Sequence, residues 1–461
     1  MTDNTWNGYS EDELRELTEI SERYKNCLDG GKTERECASL VIREAERAGY
    51  RELGEYIKKG AQLRPGDRIY AVCMNKTVAL FNIGRKPLTE GMNILGAHVD
   101  SPRLDIKQNP LYEAEGMAYF DTHYYGGIKK YQWVTQPLAI HGVVCKKDGT
   151  TVEIRVGEDR DDPVFVITDL LVHLSAKQME KSASSVIDGE GLDVLIGNRP
   201  VSELGEKKEE AVKENVLALL GEKYGITAED FASAELEVVP AGCARDLGFD
   251  RSMILAYGQD DRVCAFTSLF AMLETDAPER TACTLLVDKE EIGSVGATGM
   301  HSRFFENTLA EILSLCGEKD YIALKRALAN STMLSSDVSA GYDPLYAEAF
   351  EKRSSAFISR GISFNKFTGS RGKSGSNDAG AEYLALIRKI MDDAGVRYQF
   401  SELGKVDVGG GGTIAYIMAN YGMQVIDSGV AVLSMHAPYE VTSKADVYEA
   451  VKCYRAFLKN A

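Results

Sequence analysis

The sequence predicts an α/β protein in which a three-layer α/β/α domain is interrupted by a β-rich insertion. After residue 245, short apolar runs such as TLLVD and STMLSSD alternate with amphipathic stretches of helical period. This alternation is typical of a sheet that is covered by helices on both faces. Between about 105 and 244 strand-like segments dominate instead. We therefore expect one discontinuous domain, residues 1–104 and 245–461, around an inserted domain at residues 105–244.

The individual elements follow from periodicity and end signals. The first sixty residues have helical periodicity, with Leu14 and Leu17 on one apolar face. The short runs IYAVCM, VALFNI and MNILGAHVD then predict strands, as do LAIHGVV, TVEIRV and ITDLLVHL in the insertion. The charged stretch at 205–225 predicts an exposed helix. The last helix begins at Ser443, which with Asp446 three residues later forms an N-cap signature.

The composition predicts a soluble, cytoplasmic protein with no nucleic-acid or membrane partner. A net charge of −17 repels a phosphate backbone, and the sequence contains no basic stripe. No run reaches the roughly 18 apolar residues of a membrane span, and the acidic N-terminus does not resemble a signal peptide. The nine cysteines are scattered without a C-x-x-C pair, as expected for reduced thiols in a cytoplasm.

Histidines and carboxylates stand at the ends of several predicted strands. In an α/β sheet the ligand crevice lies beyond the carboxyl ends of the strands, so these groups are expected to converge. Six of them follow strand-like runs and one stands where a helix begins: His98, Asp100, Asp260, Glu290, Glu291, Asp337 and His436.

These residue types indicate a metal site. Taken singly, each is more often a structural residue or part of a solvated turn, and the indication comes from their repeated position at strand ends. A mixed set of imidazole and carboxylate donors suits zinc, cobalt or manganese and disfavours calcium. One catalytic zinc needs about three protein ligands. The larger number present here is enough for two ions that share a carboxylate, roughly 3.5–4 Å apart.

Five motifs carry a family resemblance. GAHVDSPRLDIK, YGQDDRVCAF, DKEEIGS, SSDVSAGYDP and LSMHAPYE occur in this order over most of the chain. Together they resemble the aspartyl aminopeptidase and aminopeptidase I family of two-metal zinc exopeptidases. The resemblance implies a catalytic metallopeptidase domain that is interrupted by a dimerisation domain. It also implies self-association to dimers and to a tetrahedral dodecamer.

The resemblance also implies roles for the metal ligands. His98 and Asp337 resemble ligands of one ion. Asp260, the first acid of the D-D-R motif, resembles the carboxylate that bridges both ions. Glu291 and His436 would complete the second site. Zinc is the expected metal, with cobalt and manganese as alternatives.

Two further residues resemble the catalytic pair of the family. Glu290 would be the general base, which takes a proton from the activated water and passes it to the leaving amine. Asp100 would orient His98 by accepting the second imidazole N–H. Asp261 is expected to cap the helix or support the ligands, and Asp288 to shape the turn.

The predicted function is hydrolysis of the N-terminal residue of peptides by a metal-activated water. Two alternatives stay open: a catalytically silent assembly protein on the same fold, and an amidohydrolase of N-acyl amino acids. Relatives place a histidine from a neighbouring subunit near the reacting carbonyl. Here the corresponding segment is ITDLLVH, and the matching position is Asp169. Whether His173, His123 or no residue takes that role is left open.

Two loops are candidates for substrate contact. VGGGGTIAYI at 408–417 lacks the features of a phosphate-binding loop. It is interpreted as a site of close backbone approach to a peptide, with a plain flexible loop as the alternative. FNKFTGSRGKSGSND at 364–378 lies where relatives recognise the substrate. Its three cations, Lys366, Arg371 and Lys373, are not assigned to the site because loop cations are mostly solvated.

Overall fold

The computed structural model describes residues 3–201 and 209–461. The chain forms two compact units. The first comprises Met1–Asp100, Ala244–Met435 and Glu440–Ala461, and the second comprises Ser101–Cys243 and His436–Tyr439. Within the described residues, no helix combines the length and the apolar character that crossing a membrane requires.

Helices and strands alternate along the first unit, whereas strands dominate the second. The helices are α1 Glu11–Gly30, α2 Glu34–Arg47, α3 Leu53–Lys59, α4 Ala176–Met179, α5 Ala211–Tyr224, α6 Gln259–Leu273, α7 Phe304–Leu315, α8 Tyr321–Ala329, α9 Ala381–Asp393, α10 Ala415–Ala419 and α11 Lys444–Asn460. The strands are β1 Arg51–Glu52, β2 Arg68–Cys73, β3 Thr77–Asn82, β4 Met92–His98, β5 Arg103–Ala114, β6 Met117–Tyr125, β7 Leu138–Cys145, β8 Thr151–Val156, β9 Val194–Gly197, β10 Ala234–Pro240, β11 Arg245–Leu247, β12 Met253–Ala256, β13 Thr281–Val287, β14 Thr332–Ser336, β15 Ser339–Ala340, β16 Ile362–Asn365, β17 Tyr398–Ser401, β18 Gln424–Gly429, β19 Ala431–Val432 and β20 Glu440–Ser443.

A nine-stranded mixed sheet forms the centre of the first unit, in the order β1-β2-β3-β13-β4-β14-β18-β16-β17. Its four middle strands, from β13 to β18, are parallel to one another. Every residue of β4, β13 and β14 is buried. Strands that are buried along their whole length need cover on both faces.

Helices cover both faces of this sheet. One apolar cluster joins it to α1, α2, α6, α9 and α11 through side chains such as Leu17, Phe266 and Phe457. A second cluster joins it to α3, α7, α8 and α10 through side chains such as Leu309 and Met418. The predicted three-layer α/β/α arrangement is therefore confirmed.

The second unit is built on a six-stranded antiparallel sheet with the order β8-β7-β10-β5-β6-β9. The predicted strands LAIHGVV and TVEIRV lie within β7 and β8. ITDLLVHL is not a strand: Val172–Leu174 forms a short 3-10 helix, and both apolar side chains of this helix are exposed, Val172 by 77%. The helix predicted over 205–225 begins at Ala211, and residues 205–208 lie outside the described residues.

The start of α11 shows what local sequence can and cannot predict. Ser443 is the N-cap, as predicted, and its hydroxyl accepts the Ala445 N–H at 3.3 Å. Asp446 takes a different role, because its carboxylate accepts the N–H groups of Ser359 at 2.7 Å and Gly361 at 2.8 Å. Those two donors come from a distant loop, so no N-cap pattern predicts them.

The strand order places the candidate residues at one edge of the sheet. β4 ends at His98 and lies between β13 and β14, parallel to both. Val287, the last residue of β13, pairs directly with His98, and Asp337 follows the last residue of β14. His98, the 288–291 turn and Asp337 therefore lie together at the carboxyl ends of three adjacent parallel strands.

Candidate metal centre

His98 lies at the centre of the candidate site, and its side chain is buried. Its Nε2 is 3.4 Å from Asp260 Oδ1 and 3.9 Å from Glu290 Oε2. Its Nδ1 faces Asp100, 3.0 Å from the backbone oxygen and 3.3 Å from Oδ1. Two acceptors at Nδ1 favour a proton on that nitrogen, which leaves the Nε2 lone pair for a metal ion.

Five of the seven predicted residues converge on two overlapping groups of ligand atoms. In the first, His98, Glu290 and Asp337 each offer one atom within 4.8 Å of the others. In the second, His98, Asp260 and Glu291 do the same. Ligands of one zinc ion stand about 2.0–2.2 Å from the metal, so their atoms lie no more than about 4.4 Å apart. Small side-chain adjustments bring each group within that limit.

Asp100 holds the turn that carries the two glutamates. Its carboxylate accepts the N–H of Glu290 at Oδ1 and the N–H of Glu291 at Oδ2, both at 3.1 Å. The same carboxylate faces His98. One buried side chain thus positions the histidine and both glutamates, whereas the H-x-D spacing suggested only the contact with the histidine.

The turn itself has local support. Asp288 is buried, and the Thr298 hydroxyl donates to its Oδ2 at 2.5 Å. Lys289 has a φ of +69°, and its carbonyl accepts the Ser294 N–H at 2.7 Å. These contacts hold the turn before Glu290 and Glu291, which accords with the expected role of Asp288 in shaping it.

Asp260 and Asp261 interrupt the first turn of α6. Both have non-helical backbone angles, and the peptide bond between them is cis. The Asp260 N–H donates to Glu440 Oε2 at 3.0 Å, and the His98 N–H donates to Asp261 Oδ2 at 3.4 Å. Glu440 was missed in the sequence, although it is the last residue of the motif LSMHAPYE.

The electrostatics of the cluster fit a bound cation. Burial raises the pKa of Asp337 well above its usual range, and the nearby carboxylates of Glu290 and Asp261 raise it further. Burial raises the pKa of Asp261 in the same way. Burial lowers the pKa of His98, but hydrogen bonds to Asp100 and Asp260, together with the negative charges of Asp100 and Glu290, outweigh that effect, so the net shift is well upward.

Buried carboxylates that repel one another are costly without a compensating charge. A divalent cation supplies that charge, and the donor set of one imidazole and several carboxylates suits zinc. The residues present therefore fit a zinc centre.

His436 is placed differently from the other predicted ligands. It belongs to the segment His436–Tyr439, which packs with the second unit. Its Nδ1 is 2.8 Å from the Gly127 carbonyl oxygen, and the Tyr439 hydroxyl donates to the Ala241 carbonyl at 3.0 Å. Neither ligand group includes His436, and its role as a ligand of the second ion stays a prediction.

The remaining histidines lie in different settings. His141 is buried and 3.0 Å from Glu158, and His301 is 3.0 Å from the Tyr416 hydroxyl, which accords with structural roles. His123 and His173 are exposed residues of the second unit.

The sequence model of the M18 family, described as aminopeptidase I zinc metalloprotease, matches residues 27–458. The chain belongs to the M18 family of aminopeptidases. The resemblance found in the five motifs is thereby confirmed.

Other M18 aminopeptidases match nearly the whole chain. The probable M18 family aminopeptidase 1 of Clostridium acetobutylicum is 59% identical over 99% of this chain and 98% of its own. The crystal structure of the M18-family aminopeptidase of Thermotoga maritima has a TM-score of 0.95 at 43% identity and covers 100% of both chains. The more distant mApe1 dodecamer of Saccharomyces cerevisiae, at 21% identity, has a TM-score of 0.77 over 95% of this chain and 96% of its own.

This M18 aminopeptidase is a zinc-dependent hydrolase that acts as an aminopeptidase, as the family and its close members show. The two alternative predictions, a silent assembly protein and an amidohydrolase of N-acyl amino acids, are not favoured by these matches.

Replacing Asp100 by asparagine tests its place in the M18 site. The two carboxylate oxygens of Asp100 each accept one backbone N–H of the turn, from Glu290 and Glu291. Asparagine has a single acceptor oxygen, so its side chain can accept only one of these two N–H groups. We expect zinc affinity to fall by about 10–100-fold, the usual cost of losing a group that orients a ligand. Competition titration with a zinc chelator measures it.

The exposed Asp393→Asn on α9 is the matched control. Unchanged zinc affinity in Asp100→Asn would contradict the positioning role.

Proposed function

We propose that the chain hydrolyses the first peptide bond of peptides at a site that holds two divalent metal ions. The observation that supports this proposal is the pair of overlapping ligand groups around His98. Together the two groups offer five side chains, whereas about three protein ligands suffice for one catalytic ion, so the set suits two neighbouring ions.

The ligands are assigned as follows. His98 and Asp337 hold the first ion, Glu291 and His436 hold the second, and Asp260 bridges the two. The position of Asp260 supports the bridging role, because its Oδ1 lies 3.4 Å from His98 Nε2 and it shares a ligand group with Glu291. The Asp260 backbone is held by Glu440.

Glu290 is proposed as the general base. Bound divalent ions supply a Lewis acid that polarises the substrate carbonyl and activates water. The carboxylate of Glu290 takes the proton from the attacking water and gives it to the leaving amine. Its backbone is fixed by Asp100, so the side chain is held at the rim of the ligand cluster, 3.9 Å from His98 Nε2.

Zinc is the proposed metal, and cobalt or manganese are the alternatives that the same ligands admit. The metal-stripped protein should be reloaded separately with each ion and assayed on a panel of aminoacyl fluorogenic substrates, with N-acyl amino acids in parallel. We expect metal-dependent release of N-terminal residues and a stoichiometry of two ions per chain. Failure of every ion to restore peptide hydrolysis, or saturation at one ion, would sink the proposal.

The second unit is proposed as the dimerisation domain, inserted at 105–244 into the catalytic domain of residues 1–104 and 245–461. An exposed apolar segment of this unit supports the proposal. Four of its side chains are each more than half exposed: Leu171, Val172, Leu174 and Met179. Such a segment is costly in water and suits contact with another subunit. Light scattering tests whether the chain forms dimers and a tetrahedral dodecamer, and a monomer would contradict this.

We also propose a cytoplasmic location. All nine cysteines lie in the described residues and none takes part in a disulfide bond, as expected in a reducing compartment. Fractionation of the source cells with a cytoplasmic marker tests the location.

A further inference from the structure

Asp427 is a buried carboxylate near the metal centre that the proposed chemistry does not use. It lies in β18 and is 1% exposed. Its Oδ1 accepts the hydroxyl of Thr413 at 2.6 Å and that of Ser335 at 3.3 Å. Burial raises its pKa to about 7, although these two hydrogen bonds oppose the shift. Burying a carboxylate is costly unless hydrogen bonds compensate it, and here the two hydroxyls do so in part.

The sheet places Asp427 beside the active centre. It pairs with Ser335 of β14, and Ser335 pairs in turn with Gly96 of β4, two residues before His98. The charge of Glu290 contributes to the raised pKa of Asp427, as expected for neighbouring carboxylates. Asp427 therefore lies on the same face of the sheet as His98, two strands away.

Thr413 is the last residue before the segment that packs over β4. A Cβ built on Gly96 would stand 3.2 Å from the δ-methyl carbon of Ile414, so Ile414 contacts the strand that carries His98. The Thr413 hydroxyl also accepts the Ala415 N–H at 3.3 Å, at the start of α10. Thr413 thus joins a helix start, a buried carboxylate and the glycine run 409–412 that precedes it.

The glycine run packs too closely for any other residue at two positions. A Cβ on Gly409 would lie 1.9 Å from the Leu403 carbonyl oxygen. Gly410 has a φ of +115°, and its Cβ would lie 2.5 Å from Ser370 Cα. A side chain there would be strained and would clash. The run is therefore pressed against two other loops on one side.

The other side of the run is open. A Cβ on Gly412 would meet no atom within 4 Å, and Gly412 is exposed. The Gly411 N–H donates to the Thr368 carbonyl at 3.0 Å, which ties the run to the 364–378 loop. The open space beside Gly412 is therefore bordered by the backbone of the glycine run and not by its side chains. Such a surface allows the backbone of an extended peptide to approach closely.

We propose that Asp427, acting through the hydroxyl of Thr413, is a positioning residue that fixes the 409–412 run as a backbone binding surface for the peptide substrate. This inference rests on the proposed peptidase function. A glycine segment is flexible by itself, and ordering it on binding opposes affinity. The short hydrogen bond from the Thr413 hydroxyl to the buried Asp427, at the end of the run, removes part of that cost in advance.

The effect belongs to substrate binding rather than to the chemical step. Binding energy that is equal in the ground state and the transition state changes KM and leaves kcat nearly constant. We expect Thr413→Val, which removes the hydroxyl and keeps the shape, to raise KM by about 10-fold with kcat changed less than about 2-fold. The conservative Thr413→Ser, which restores the hydroxyl, is expected to return KM toward the wild-type value.

Two measurements do not depend on turnover. The affinity for a free amino acid product, measured by calorimetry on the metal-loaded protein, should fall in Thr413→Val in parallel with the rise in KM. Hydrogen–deuterium exchange should become faster at Gly409–Gly412.

Asp427→Asn keeps the helix start intact and removes the charge, so it should raise KM by less than Thr413→Val does.

The outcomes separate the possible causes. Thr18→Val removes an exposed hydroxyl on α1 and is the matched control.

If Thr413 only caps α10, Thr413→Val lowers the melting temperature with KM and exchange unchanged, and the inference is wrong. If Thr413→Val loses metal, the effect lies in the ligand cluster and the inference is again wrong. If the wild-type protein with metal hydrolyses no peptide, the proposed function fails instead.

Discussion

Replacing Glu290 by glutamine is expected to lower kcat by about 10²–10⁴-fold, the range for loss of a general base, while zinc stays bound. Glutamine has nearly the same shape but cannot take a proton at neutral pH. The Asp100 contact with the backbone of residue 290 does not depend on the side chain, so the turn should keep its position. Steady-state kinetics and metal analysis on the same sample measure both quantities.

The metal content decides between two roles for this glutamate. Glu290 shares a ligand group with His98 and Asp337, so it has the position of a ligand as well as that of a base. If Glu290 is the general base, Glu290→Gln is inactive and keeps its full metal content. If Glu290 is a metal ligand, the variant is inactive and has lost metal. Glu311→Gln, at an exposed position of α7, controls for removal of a glutamate charge. Full activity in Glu290→Gln would exclude both roles.

Replacing His98 by alanine is expected to have an equally large effect through the loss of bound metal. His98 is the one residue that both ligand groups contain, and it is the only nitrogen donor in either. Its removal leaves the carboxylates of Asp260 and Asp337 without that donor, and we expect zinc affinity to fall by at least about 100-fold. Activity should fall with it at any fixed zinc concentration.

Zinc titration with a competing chelator measures this loss, and thermal unfolding with and without zinc reports the coupling to stability. Wild-type protein should gain stability on zinc addition because the ion binds only the folded state, whereas His98→Ala should gain little. His301→Ala, which removes an exposed imidazole that contacts Tyr416, is the matched control. Retention of two ions in His98→Ala would refute the ligand assignment.

The fold could be predicted where local pattern and tertiary environment agree. The fully buried strands β4, β13 and β14 need cover on both faces, and their alternation with amphipathic helices leaves few other arrangements. ITDLLVHL shows the limit of this reasoning. Ile167 is buried, but Leu170, Leu171, Val172 and Leu174 are exposed in and before the short helix at Val172–Leu174. Periodicity reports residue type and not whether a sheet is available to bury the segment.

The site shows the same division. The residue types beyond the strand ends predicted a mixed nitrogen and oxygen centre, and the structure brings five of the seven residues together. The contacts of Asp100 with Glu290 and Glu291 and of Glu440 with Asp260 could not be predicted. They join backbone N–H groups to carboxylates that are remote along the chain, and no spacing rule encodes such a contact.

The amino-acid sequence by itself determined the class of fold, the family, and the supply of imidazole and carboxylate groups at the ends of strands. These properties depend on the types of residues, on the spacing of apolar residues and on the order of the motifs, all of which can be read from the sequence. The tertiary structure alone decided which carboxylate supports which ligand, and that the Thr413 hydroxyl donates to the buried Asp427. Such choices depend on distances and burial between remote segments, and a buried charge takes its role from the neighbours that the fold supplies.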